Sequence, residues 1–270
     1  MELIPHRALL KAQYALVNPI QVPGSQYQAL KSTALVPRGM ERHARMMPRL
    51  LHLDTLREEE RLGLLDRSER WLQQFGNHLL PVFIETRRPL ASVVQALLRS
   101  MLITDQRSKR HWLRLHDPRV LRHLAWLLDE AQLQVLLTAG DVWNFHAGDD
   151  RAWQQIVVAA PTGERNVKLA LDAEQWNELA LLGSLNDVME EMALDAVTLN
   201  AVDISEAMRL LKEAQSQGID DDAELRIYAL TRLRSWISGN AGQAANAPTR
   251  VHCAETGVWE ISARQSGRDG

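Results

Sequence analysis

The chain of 270 residues contains a single cysteine, Cys253, so it cannot form an internal disulfide bond. This excludes the disulfide-rich secreted domains and is typical of a protein from a reducing compartment. The sequence has no apolar run close to the roughly 20 residues of a membrane helix. Its first residues also lack the basic stretch and the long apolar stretch of a secretory signal. We therefore expect a cytoplasmic protein that does not insert into a membrane.

The signatures of common enzyme families are also missing. There is no glycine-rich phosphate loop, no G-x-G-x-x-G after a strand, no G-x-S-x-G and no H-E-x-x-H. Cys253 has only His252 beside it as a candidate base, and neighbours on a strand point in opposite directions. His116 and His123 are a candidate metal pair, but a zinc site needs three or four converging ligands. We expect no metal and no cofactor.

Tyrosine and phenylalanine are scarce, at three each, whereas the chain has eight tryptophans. Tryptophan side chains either fill large gaps in a core or act as anchors on a binding surface. The sequence leaves both roles open.

The net charge of −3 is unevenly distributed along the chain. Residues 1–160 contain 21 basic and 16 acidic side chains, residues 161–240 contain 7 and 15, and residues 241–270 contain 3 of each. This asymmetry predicts two regions with different surfaces, although independent drift of two solvated faces gives the same pattern. The positive excess in the first part is small for a nucleic-acid-binding domain.

The order of predicted elements in residues 1–160 indicates a mixed α/β (α+β) lobe. Short apolar runs predict strands, and apolar residues at helical spacing predict helices. The predicted strands are 14–17, 50–53, 79–84, 112–116 and 153–160, and the predicted helices run from Asp54 to about Phe75, from Pro89 and from Pro118. This alternation favours some parallel pairing, with antiparallel pairs equally compatible at the sheet edges.

Residues 161–240 are predicted to form an all-helical lobe of about three helices. The candidate capping boxes are Asp172 with Gln175, Asp203 with Glu206, and Asp221 with Glu224. The last two helices are expected to end at Gly218 and Gly239. The Asp220–Asp222 run is interpreted as capping and not as a metal site. Residues 241–270 are predicted to be a flexible tail with one short strand at 258–261.

The most informative segment is residues 111–121, HWLRLHDPRVL. Asp117 is suited to cap a helix, and Pro118 to its first position, where a missing N–H costs no hydrogen bond. Arg114 and Arg119 flank the carboxylate. These charged side chains either stabilise the start of the helix or bind a phosphate or carboxylate group of a ligand or partner.

This segment resembles the signature of the type VI secretion effector-chaperone (adaptor) family, long known only as a domain of unknown function encoded beside spike and effector genes. The family pattern is a strand followed by Asp-Pro-Arg-Val-Leu, which here is residues 117–121. Leu115 and His116 stand where aromatic residues are common in the family. Residues 14–17, 79–82 and 214–219 extend the resemblance, which covers roughly residues 10–240.

The resemblance implies a non-catalytic protein with an α/β lobe joined to a helical lobe. Members of the family bind a cognate toxic effector in the producing cell, keep it soluble and help to load it onto the spike protein of the secretion needle. The contact with the spike can be indirect. No catalytic residues, nucleic acid or cofactor come with the resemblance.

Two sets of residues follow as candidates for this function. The signature residues, with a structural or partner-binding role, are Arg114, Asp117, Pro118 and Arg119. The expected effector-binding anchors are Trp126, Trp143 and Phe145. Two alternatives stay open, namely an enzyme of unrecognised type with a cleft around Arg114, His116 and Asp117, and a weak nucleic-acid-binding module that uses the basic residues between Arg99 and Arg122.

Overall fold

The structure is a computed structural model that describes residues 2–4, 6–146, 153–158, 169–240, 250–252 and 259–261. The chain divides into two compact units. The first unit runs from Leu3 to Leu179, and the second comprises Ala180–Gly270 with Met1–Glu2. The lobe boundary predicted after residue 160 falls within residues 159–168, outside the described part of the chain.

Strands and helices alternate in the first unit, and three long helices follow. The strands are β1 (Glu2–Ile4), β2 (Tyr14–Val17), β3 (Ser32–Ala34), β4 (Arg49–His52), β5 (Val82–Glu85), β6 (Leu102–Thr104), β7 (Arg110–Trp112), β8 (Val142–His146), β9 (Trp153–Val157), β10 (Arg250–His252) and β11 (Trp259–Ile261). The helices are α1 (Glu58–Phe75), α2 (Leu90–Ser100), α3 (Pro118–Leu127), α4 (Glu130–Leu136), α5 (Ala173–Leu194), α6 (Ala201–Ser216) and α7 (Asp222–Asn240). Short 3-10 helices lie at His6–Lys11, Gly24–Gln26, Glu41–Met46 and Leu53–Thr55. A mixed α/β part followed by a helical part confirms the predicted fold class.

Seven of the described strands form one sheet, in the order β1-β9-β8-β5-β2-β4-β3. From β9 to β3 every neighbouring pair is antiparallel, and Ala15 of β2 lies opposite both Leu51 and Phe83. The parallel pairing predicted from the alternation of strands and helices is therefore wrong for these strands. The connection from β5 to β8 contains three helices and the separate β6–β7 hairpin, which is long enough to bring the chain back in either direction.

Helices cover both faces of this sheet, which explains why its central strands are apolar at successive positions. On one face, Leu51, Phe83 and Trp153 belong to a buried cluster that includes Leu64 and Leu65 of α1. Alternate residues of β5 and β8 point to the other face, and α3 contacts β8. The sheet therefore holds α3 and the turn before it in a fixed place.

The start of α1 differs from the prediction, whereas its end agrees with it. Arg57 is the residue before the helix, and its backbone N–H donates to Glu60 Oε2 at 2.8 Å. Asp54, the predicted cap, lies in the preceding 3-10 helix. The helix ends at Gly76, whose φ of 73° is in the left-handed region that glycine adopts easily.

The predicted strand 112–116 is also only partly present. β7 ends at Trp112, after which Leu113 N–H still donates to the carbonyl of Met101 at 2.9 Å. Leu115 N–H then donates to the carbonyl of Leu113 at 3.1 Å, so the backbone turns away from the hairpin. The alternation of apolar residues continued past the point where pairing stopped, which is why the pattern overestimated the strand.

Of the three capping boxes predicted for the helical part, the first is confirmed in full, and the third is confirmed for its cap residue, Asp221. Gln175 N–H donates to Asp172 Oδ1 at 2.8 Å, and Asp172 N–H donates to Gln175 Oε1 at 3.1 Å. Asp221 Oδ1 accepts from the backbone N–H groups of residues 223 and 224, both at 3.0 Å. This agrees with the interpretation of the acidic run around Asp221 as capping.

The start of α6 differs from the prediction, which had Asp203 as the cap. Its cap is Asn200, whose Oδ1 accepts from Val202 N–H at 2.8 Å, and Asp203 accepts from Asn200 N–H at 2.8 Å. Asp203 therefore occupies the third helical position and not the cap. Gly218, at φ 83°, follows α6 as predicted, and α7 continues one residue beyond Gly239.

Two short strands are described in the predicted tail. β10 and β11 pair with each other in a separate antiparallel sheet, with Val251 opposite Glu260. The second strand falls within the stretch where one was predicted. The remainder of 241–270, including Cys253, lies outside the described residues.

Candidate functional site

The turn between β7 and α3 is the structural form of the signature segment. We call residues 113–117 the signature turn. Its apolar members, Leu113 and Leu115, are buried, and Asp117 N–H donates to the carbonyl of Arg114 at 2.9 Å. The buried leucines fix the turn to the core, so Arg114 is left on the outside and is exposed.

Asp117 and Arg119 form a compact ion pair around the first turn of α3. Asp117 Oδ1 accepts from Arg119 N–H at 3.0 Å and from Arg119 Nε at 3.1 Å, while its Oδ2 accepts from Arg119 Nη2 at 3.0 Å. Pro118 occupies the first helical position, as predicted. The carboxylate thus caps the helix through the backbone N–H of Arg119 and also accepts two hydrogen bonds from the guanidinium of the same residue.

The charge state of Asp117 follows from these contacts. Its side chain is only 11% exposed, and this burial by itself raises the pKa. The hydrogen bonds and positive charge of Arg119, with the charge of Arg114, outweigh burial and hold the pKa of Asp117 below its ordinary value. The group is therefore ionised at neutral pH.

His116 lies beside this pair in a different electrostatic environment. Its ring is 3% exposed and stacks on Trp112 with ring centroids 5.8 Å apart. Burial lowers its pKa to about 4; the charge of Asp117 opposes this shift and that of Arg114 adds to it. Its Nδ1 atom and the Nε1 atom of Trp112 are both buried without a hydrogen-bond partner. At neutral pH His116 is an uncharged aromatic ring within the packing of the turn.

Trp126 lies on the same side of α3 as Arg119, the signature arginine within the helix. Arg119, Arg122 and Trp126 are spaced three and four residues apart, so they share one helix face. Trp126 is 45% exposed, and its Nε1–H donates to His123 Nδ1 at 3.2 Å. This hydrogen bond to a fully buried histidine holds the indole in one orientation at the surface.

Trp143 and Phe145 correct the predicted set of anchors. Both lie on β8 with no exposed surface, and Trp143 Nε1–H donates to the carbonyl of Leu137 at 3.0 Å. A side chain without accessible surface cannot contact a partner in this conformation, so both residues belong to the core. Of the three candidates, only Trp126 is presented at the surface.

A feature that the sequence reasoning missed lies in the β6–β7 loop. Asp105 Oδ1 accepts from the backbone N–H groups of Arg107 and Lys109, and Asp105 Oδ2 lies 2.8 Å from His111 Nε2. The hydrogen bond from His111 is the main reason that the pKa of Asp105 is lowered. The signal was present as an Asp at the start of a polar loop, a position where its side chain closes a turn.

In the part of the chain that the structure describes, no group of three or more His, Cys, Asp or Glu side chains is placed to hold a metal ion. Among the same residues, no helix is both long enough and apolar enough to cross a membrane.

Comparison with protein families gives one match. A family model described as "Domain of unknown function (DUF4123)" matches residues 14–135, from the first residue of β2 into α4. The match therefore covers β2 to β7, the signature turn and α3, and it spans less than half of the chain. No curated protein and no solved structure matches the chain.

Proposed function

We propose that this protein is a cytoplasmic adaptor chaperone that binds a cognate type VI secretion effector, stabilises it and helps to load it onto the spike protein. The observation that supports this most is the family-model match over residues 14–135. That range contains the segment 113–121, whose residues carry the resemblance to the effector-chaperone family. The proposal includes no cofactor, no nucleic acid and no insertion into a membrane.

The geometry of the signature turn supports binding over catalysis. A general acid or base must reach the reacting group and carry a pKa suited to its task. Asp117 is engaged by the backbone and the guanidinium of Arg119, and His116 is buried and uncharged. These residues stabilise a helix start whose outer face carries Arg119, Arg122 and Trp126.

This face of α3 has the composition of a binding anchor. Tryptophan and arginine are enriched among the residues that dominate protein interfaces. Trp126 combines a large exposed ring with an orientation already fixed by His123, which reduces the entropy lost when a partner packs against it. We propose that the effector contacts this face.

Co-expression with each toxin gene found in the neighbourhood of the gene for this chain tests the proposal. We expect one of those toxins to elute with the adaptor as a stable complex in size-exclusion chromatography and to precipitate when expressed alone. The proposal fails if every neighbouring toxin stays soluble alone and elutes separately from the adaptor.

A further inference from the structure

A second surface of the first unit has a strong charge that the signature turn does not explain. Arg110, the first residue of β7, donates from Nη1 to the carbonyl of Arg38 at 3.2 Å. This contact joins the β6–β7 loop to the segment 38–46, although the two are about 70 residues apart in sequence. Both segments are rich in exposed basic side chains.

We define the basic patch as Arg38, Arg42, Arg45, Arg107, Lys109 and Arg110, all of which are exposed. Arg42 and Arg45 are three residues apart in the 3-10 helix Glu41–Met46, so they lie on one side of it. Arg107 and Lys109 follow Asp105 in the loop that leads directly into Arg110.

The acidic groups near the patch do not neutralise it. Among the described residues, none of the six basic side chains forms a salt bridge. Glu41 Oε1 accepts from Gly39 N–H at 2.9 Å; this backbone contact, then that of Glu41 itself, then the charges of Arg38 and Arg110 lower the pKa of Glu41. Asp105 is engaged by its own loop and by His111. Six cations against two carboxylates leave a concentrated positive surface.

An exposed apolar residue, Met46, lies next to the basic patch and bears on the kind of partner. Met46 ends the same 3-10 helix and is 47% exposed, whereas its neighbour Met47 is buried. Methionine side chains adapt to irregular apolar partners at binding surfaces. The overall charge of −3 disfavours a polyanion as large as duplex DNA.

We propose that the basic patch binds an acidic segment of a polypeptide partner, with an apolar residue of that segment against Met46. The inference rests on the proposed function in one respect, which is that the polypeptide partner is the effector. It assigns a surface separate in sequence from the α3 face. Electrostatic complementarity of this kind speeds encounter and fixes the orientation of two proteins.

The probe is a fluorescein-labelled peptide of repeated Glu-Glu-Leu-Asp units, compared by fluorescence anisotropy with its Gln-Gln-Leu-Asn counterpart. At about 50 mM NaCl the acidic peptide is expected to bind and the neutral one not to bind. Two charge-reversal variants, Arg42→Glu/Arg45→Glu and Arg107→Glu/Lys109→Glu, are each expected to weaken binding at least about tenfold. These four side chains make no described hydrogen bond, so we expect both variants to keep the wild-type fold, which circular dichroism checks.

A matched control uses the other end of the sheet. Lys31 precedes β3, whereas Arg38 follows it, so the two residues lie beyond opposite ends of that strand. Arg87 follows β5, and the pairings Tyr14↔Ile84, Tyr14↔His52 and Ser32↔Leu51 place it at the same end as Lys31. The variant Lys31→Glu/Arg87→Glu makes the same change in net charge and is expected to bind the acidic peptide within about twofold of the wild type.

Three outcomes overturn the inference. One is that only one of the two patch variants weakens binding, since the two segments would then not form one surface. Another is that a DNA duplex binds in place of the acidic peptide, with an affinity that falls steeply with salt. The third is that the chain alone forms dimers that both patch variants dissociate, because the occupant would then be the acidic region of a second copy.

The patch variants also separate this inference from the proposed function. Each variant is co-expressed with the toxin that the wild-type chain retains. Loss of that complex in both patch variants, with retention in the Lys31/Arg87 control, supports the inference. If the wild-type complex forms and the patch variants keep it, the inference fails and the adaptor function stands. If no toxin is retained by the wild type, the adaptor function fails, and the peptide experiment alone decides the patch.

Discussion

At the scale of single residues, His116 shows how the signature turn combines packing with charge. The ring is almost completely buried against Trp112 and stays uncharged, because the nearby charge of Asp117 offsets only part of the cost of burying a cation. Asp117, its neighbour in sequence, is in the opposite state, since Arg119 holds it ionised. Of these two adjacent titratable groups, one is therefore neutral and the other ionised at neutral pH.

His116 should make the stability of the first unit depend on pH. Its pKa is about 4 in the folded chain and 6.5 ordinarily, so the unfolded chain takes up the proton first. The contribution of neutral His116 to the free energy of unfolding is complete above about pH 6.5 and is lost as the pH falls toward 4. From the size of the shift, we expect about 3 kcal/mol of unfolding free energy to be lost over this window.

The measurement is urea unfolding of the wild type and of His116→Phe at several pH values between about 7.5 and 4.5. The phenylalanine keeps an aromatic ring against Trp112 and removes the titration, so its stability should fall less than that of the wild type. His52, whose pKa burial also lowers, acts in both proteins and accounts for a remaining decrease. Parallel curves for the two proteins would contradict the assignment.

At the scale of elements, α3 has two faces with different tasks. Its inner face carries buried side chains that include Val120, Leu121 and Leu124, while Trp126 is on the outer face. Leucine at a fully buried position contributes through packing. Trp126 contributes to stability mainly through its hydrogen bond to His123, and the exposed part of its ring is available to a partner.

Two substitutions on this helix should therefore affect different properties, one mainly the stability of the fold and the other mainly the affinity for the effector. Leu121→Ala is expected to lower the free energy of unfolding by about 3 kcal/mol, because it leaves a cavity. Trp126→Ala is expected to lower the free energy of unfolding by only about 1 kcal/mol, because buried His123 loses one hydrogen bond, but to weaken the effector complex at least about tenfold. Chemical denaturation and titration of the effector measure the two quantities.

Phe75 provides the matched control for Trp126. It is an aromatic residue at the end of α1 that is 51% exposed, and it packs on Trp71. Phe75→Ala should leave effector affinity unchanged if the α3 face is the anchor. Equal loss of affinity in both variants would show that exposed aromatic surface in general, and not this face, holds the effector.

The elements that the sequence predicted well are those whose ends depend on neighbouring residues. Asp117 and Pro118 act within the first turn of α3, and Gly76 acts directly after the last turn of α1. The structure confirms the predicted start of α3 and the predicted end of α1. The end of β7 and the direction of strand pairing depend on distant partners such as Met101, which local patterns do not contain.

The same distinction applies to the candidate site. The cap at Asp117 was predictable, because its chemistry is local. The burial of Trp143 and Phe145 was not, because it depends on which strands flank β8. The basic patch could not be predicted either, because Arg38 and Arg110 are far apart in sequence and come into contact only when the chain folds.

At the scale of the whole molecule, the described helices of the second unit carry their own core. Its members lie on α5, α6 and α7 and include Leu185, Val188, Leu211, Ala229 and Leu233. Charged side chains link the same helices at the surface: Glu213 of α6 accepts from Tyr228 and Arg232 of α7, and Arg234 of α7 pairs with Asp195, just after α5. The last buried residue described in this set is Leu233.

A chain that ends at Asn240 should therefore fold as stably as the 270-residue chain. The described strands beyond this point, β10 and β11, pair only with each other, so their removal takes no strand from the main sheet. We expect the midpoint of thermal unfolding to change by less than about 2 °C, whereas a loss of about 1 kcal/mol from the core would shift it by roughly 2–4 °C or more. Differential scanning calorimetry of both chains measures this, and a clear decrease would show that residues 241–270 contribute packing and are not the flexible tail that their composition predicts.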